Sequence, residues 1–137
     1  MTPPEHLPAN DPREWLNRAR SNLTRAENRL PGVYLEDLCF DAHQAAEKAI
    51  KAVLILRGIE FPYVHDLARL LLSLESHGER IPSDVHRARS LTRYAVATRY
   101  PGPGAAVSEA QYTEAAEIAG IVVSWADKLL RGTGTNL

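Results

Sequence analysis

Leu16, Ala19, Leu23, Ala26 and Leu30 recur at steps of three and four residues. That spacing predicts one apolar stripe on an amphipathic helix. Asp11 offers a cap for the free N–H groups at its start, and Pro12 stands where a first helical residue tolerates proline. The segment PGV at 31–33 predicts its end. A second helix is predicted from about Leu35 to Leu56, stopping at Gly58. At about 100° per residue, Leu38, Cys39, Ala42, Ala45, Ala46, Ala49, Ile50 and Val53 share one arc. Phe40 and Ile55 fall near the opposite side, beside Lys51. A surface helix has one apolar face. A second, weaker one predicts a central position or an oligomer contact.

A short third helix follows the connection GIEFPYVHD, with Leu67, Leu70, Leu71 and Leu74 inward and Asp66 as N-cap. Pro82 and Ser83 mark a fourth start, and an α-helical register puts Val85, Ala88, Thr92 and Ala95 on its inner side. RYPGPGAA breaks the chain again. Ser108 and Gln111 then form a capping box. A fifth helix runs to about Arg131, turning Ala115, Ile118, Ala119, Val122, Trp125, Ala126 and Leu129 inward. No segment alternates apolar and polar over strand length. The expected fold is all-α, an up-and-down helical bundle of about five helices. Alanines on helices two and five predict that these form the central pair. Three prolines predict a disordered or extended tail over 1–10; the bundle spans 11–131, and 132–137 is a flexible end.

Composition narrows the setting. The chain has 137 residues, which suits one domain. With 45% apolar residues, 24% charged residues and a net charge of -1, it carries no global basic field for nucleic acid. Its single cysteine, Cys39, excludes an internal disulfide and points to a reducing cytoplasm. No stretch approaches the roughly 20 apolar residues of a membrane span, and the first residues lack the pattern of a signal peptide.

The candidate chemistry is sparse. No two of His6, His43, His65, His77 and His86 are three or four residues apart, so a zinc site is unsupported. Nucleophile elbows, phosphate loops and dinucleotide fingerprints are absent. His43 is placed on the rim of the buried arc, with Glu47 one turn along as its hydrogen-bond partner. Lys48 and Lys51 read as solvated lysines. His65 reads as a packing residue of the bend. From residue 80 to 100 five arginines (Arg80, Arg87, Arg89, Arg93, Arg99) face one acid, Asp84, a net of +4. His86, Arg89 and Arg93 fall on one stripe, with Tyr94 and Tyr100 nearby. Such a stripe holds phosphate and stacks bases, or it pairs with Glu109, Glu114 and Glu117 of the fifth helix.

The segment CFDAHQAAEKAIKAVLILRGIEFPYVHDLARLL, with RYPGP before the last helix, is similar to the core of HEPN domains. The resemblance covers residues 11 to 131. It implies an up-and-down bundle that dimerises, often encoded beside a minimal nucleotidyltransferase in toxin–antitoxin or defence modules. Many relatives are metal-independent ribonucleases with an R-x4-6-H motif near the final helices; others lack it. Here Arg80 and His86 fit the count, but Pro82 interrupts them. Arg99 stands in the usual place with no histidine after His86.

The resemblance therefore implies a cytoplasmic homodimer without cofactor, lacking the usual ribonuclease motif. It would pair with a nucleotidyltransferase and bind nucleotide or RNA through Arg99, Tyr100, Arg93, His43 and His65. A second reading is a ribonuclease toxin using Arg80 with His86, or Arg99 with His43 or His65. A third is a helical adaptor without ligand.

Overall fold

The structure, a computed structural model, describes residues 2–95, 101–102 and 106–135. Helix α1 (Pro12–Glu27) starts where the Asp11 carboxylate accepts the Arg13 N–H, with proline in the first turn. It ends before Leu30, which is 65% exposed rather than part of the inward stripe. Helices α2 (Leu35–Leu56) and α3 (Leu67–Ser76) end alike. Gly58 and Gly78 adopt positive φ of 69° and 93°. The N–H of the next residue then turns back onto the third-last helical carbonyl, Ile59 to Leu54 and Glu79 to Leu74. Glycine takes that left-handed turn without a Cβ penalty. Asp66 caps α3 through the Ala68 N–H. Helix α4 (Glu109–Thr135) opens on the reciprocal Ser108–Gln111 box and extends beyond Arg131.

Among the described residues the chain forms five helices and no strand. The predicted all-α architecture is therefore present. The axis is α2, which packs on every other helix, most extensively on α1 and then on α4. The expected central pair is thus a central helix with two principal neighbours. Between Asp41 and Leu54 only Gln44 and Lys48 escape full burial. Ala42, Ala45, Ala46, Ala49 and Ala52 are all buried, and small side chains let neighbouring helix axes approach on several sides.

The fourth helix departs from the expectation. Residues Val85–Tyr94 form a 3₁₀ helix, and its buried residues are Val85, Ala88, Leu91 and Tyr94. They recur every third residue. In a 3₁₀ helix three residues complete a turn, so this row stays on one side; in an α-helix it would wind around the surface. Leu91 and Tyr94 take the inner row, and Thr92 does not. The expected basic stripe also divides: Arg89 lines up with His86 and Thr92, whereas Arg93 lines up with Arg87 and Ser90. The Thr92 hydroxyl accepts the Leu67 N–H at 3.1 Å and so satisfies the start of α3.

The inner row makes the register measurable. Leu91→Ala empties a site that is 1% exposed and is expected to cost about 2–5 kcal/mol in denaturant unfolding. Arg89→Ala, on the exposed row, is expected to cost less than about 0.5 kcal/mol. Equal costs would contradict the three-residue register.

Candidate functional site around Glu47 and His65

Three polar residues of α2 stand four apart: His43, Glu47 and Lys51. That step stacks them on one helix face, and the face is enclosed. His43 is 0% exposed, Glu47 4% and Lys51 5%. His43 is therefore an interior residue, not a rim residue, and Lys51 is not solvated. The reason is the connection over residues 57–66, which crosses this face on its way to α3, together with the start of α1.

The connection supplies the partners. His65 Nδ1 donates to Glu47 Oε1 at 2.8 Å, and Lys51 Nζ donates to Glu47 Oε2 at 3.0 Å. His43 does not make the expected hydrogen bond to Glu47, since its Nε2 lies 3.8 Å from Oε1. It donates instead to the backbone carbonyl of His65 at 3.1 Å. So α2 holds His65 twice, by side chain and by backbone. Lys51 Nζ also lies 5.5 Å from the Phe61 ring centre and 5.9 Å from that of Trp15. Those rings meet edge to face, and aromatic faces stabilise a desolvated ammonium.

Burial alone would raise the Glu47 pKa, but the hydrogen bonds from His65 and Lys51 and the Lys51 charge outweigh it. The carboxyl sits below its ordinary range and is ionised at neutral pH. The outcome is an interior carboxylate gripping a histidine whose side chain is 65% exposed. A carboxylate that orients an imidazole is a recurring device for fixing its tautomer. Cys39 is different: burial pushes its thiol up to about 11, which leaves it protonated and unreactive. Among the described residues no group of three or more metal-ligating side chains is placed to hold an ion, and no helix is long and apolar enough to cross a membrane.

Other predicted residues scatter. His86 Nε2 meets Glu75 Oε2 at 3.0 Å, joining the 3₁₀ helix to α3; Arg80 is exposed. Arg93 lies over the Tyr94 ring. Of the arginine face, Arg87 pairs with Glu117 on α4, while Glu109 pairs with Arg29 instead. Arg99 and Tyr100 lie outside the described residues. A groove of about 680 Å³ lies beside the α1–α2 turn, lined by Thr24, Arg25, Leu30, Phe40 and Asp41; it contains none of the predicted residues. Sequence reasoning missed Lys51 and its aromatic neighbours Trp15 and Phe61. The step 43, 47, 51 inside an alanine-rich helix was the available signal.

The helical architecture has counterparts among known proteins. The sequence matches the HEPN domain family over residues 12–129, so this chain is a member of that family. It is similar to TT1696 from Thermus thermophilus, with a TM-score of 0.75 and 31% identity, covering 87% of this chain and 98% of that one. It is also similar to ST0689, an archaeal HEPN homologue, with a TM-score of 0.71 and 26% identity, covering 86% and 96% of the two chains. No curated protein matches it significantly.

The lowered pKa of Glu47 has a signed consequence. A carboxyl depressed on folding adds stability above its unfolded value, about 4.3 for glutamate, and loses it as pH falls through the folded value. Glu47→Gln is expected to flatten that loss. The stability gap between wild type and variant should narrow as the pH drops below about 4.3, read from urea midpoints. A constant gap would show that Glu47 is not held as a carboxylate.

Proposed function

We propose that this HEPN protein binds nucleotide or RNA and acts, as a homodimer, with a nucleotidyltransferase partner in a toxin–antitoxin or defence-type module. The observation that carries the binding reading is the Leu67–Thr92 hydrogen bond of 3.1 Å. It joins the segment bearing His65 to the 3₁₀ helix one residue before Arg93. It sets the chain two residues after His65, itself anchored on His43 and Glu47, against the chain one residue before Arg93; Arg99 and Tyr100 follow Arg93 in the sequence. Guanidinium groups bind phosphate and aromatic rings stack bases. The nucleotidyltransferase partnership and the homodimer rest on the family resemblance.

Fluorescence anisotropy with a labelled single-stranded RNA, over a series of salt concentrations, tests the binding reading. Arg93→Ala is expected to weaken binding and to lower the salt slope by roughly one phosphate contact, about 0.7. Arg20→Ala, whose guanidinium pairs with Asp127, is expected to change neither. Absence of binding to both RNA and mononucleotides would reject the proposal.

A further inference from the structure

His65 is a surface histidine with an unusually complete internal support. Its Nδ1–H is committed to Glu47 Oε1 at 2.8 Å. A carboxylate only accepts, so that nitrogen carries the proton. Among the described residues Nε2 has no hydrogen-bond partner, and the side chain is 65% exposed. In the neutral ring Nε2 is then an acceptor and nothing else. The carboxylate cannot swing away, because Lys51 holds its second oxygen at 3.0 Å and both are buried. The backbone cannot swing either, because His43 holds the His65 carbonyl. The ring is fixed with a lone pair facing out.

An outward acceptor selects its ligand group. It repels phosphate oxygens, which are acceptors themselves, and it pairs with a donor. On a nucleotide the donor absent from DNA is the ribose 2′-hydroxyl, the group by which proteins tell RNA from DNA. Two residues before His65, on the same connection, Tyr63 is 96% exposed. An exposed aromatic ring on the same connection offers a face on which a base stacks.

We infer that His65 Nε2 accepts a hydrogen bond from a ribose 2′-hydroxyl, so that the protein prefers ribonucleotides to their 2′-blocked or 2′-deoxy forms, with Glu47 and Lys51 as the positioning residues. This rests on the binding proposed above and assigns its ligand class. It gives His65 a contact to sugar and leaves phosphate to the arginines.

The test uses the full chain at about pH 8.5, where an ordinary imidazole is neutral. One short single-stranded sequence is titrated as RNA, as 2′-O-methyl RNA and as DNA. The methylated strand keeps the ribose 2′-oxygen and replaces its donor hydrogen by a methyl group, whereas DNA loses the donor without added bulk. Wild type is expected to bind RNA about three- to tenfold more tightly than the methylated strand, the size of one net hydrogen bond. His65→Ala, an exposed position, is expected to abolish that ratio while still binding. Adenosine and 2′-deoxyadenosine monophosphates run beside the strands; a ratio confined to one format assigns the hydroxyl to strand or free nucleotide. Equal wild-type binding of ribo and blocked forms in both formats overturns the inference and leaves the binding proposal standing, as does an unchanged ratio in His65→Ala. No binding in any format overturns both.

Discussion

A charged carboxylate sits inside the bundle, and much of the local structure exists to satisfy it. Removing an ionised glutamate from water is costly unless charge and hydrogen bonds replace the solvent. Glu47 gets one partner from its own helix, Lys51, and one from the connection to α3, His65. Lys51 in turn lies against Trp15 of α1 and Phe61 of the connection. One buried oxygen pair thus fixes how α1, α2 and the 57–66 connection meet. Apolar residues of similar volume would often serve stability as well or better. What they would not do is hold an exposed imidazole in one tautomer.

The second organising fact is how α3 and the 3₁₀ helix are fastened. Leu67 finds its hydrogen-bond acceptor in Thr92, and Glu75 meets His86. The 3₁₀ geometry matters here. By keeping Val85, Ala88, Leu91 and Tyr94 in one inward row, it frees the other two rows for polar work. One carries His86, Arg89 and Thr92; the other carries Arg87, Ser90 and Arg93. An α-helix of the same sequence would spread the apolar row around its surface and bury part of the charge. Arg87, Arg89 and Arg93 therefore stay off the core row because of a helix type, not only because of composition.

Much of this was legible in the chain. Apolar steps of three and four located four of the five helices, and the caps at Asp11, Asp66 and Ser108 act as their side-chain chemistry dictates. Alanine density marked α2 as central, because only small side chains allow close approach from several directions. The 3₁₀ segment was legible too, in the strict three-residue repeat, but an assumed 3.6-residue period concealed it. The family resemblance over QAAEK and HDL was strong enough to name the HEPN fold.

The site was legible only as a set of types. A histidine, a glutamate and a lysine at four-residue steps on α2 share a face by helix geometry alone, so their mutual proximity was determined by sequence. Their burial was not. Periodicity reports which residues share a face, while burial depends on what crosses that face. Here the crossing element is a connection with no period of its own. Only the tertiary structure decided that His65 replaces His43 as the partner of Glu47, that His43 grips backbone instead, and that Lys51 is enclosed by aromatic rings. Sequence fixes the angles around one helix; the neighbours that set its dielectric and its hydrogen bonds arrive through folding.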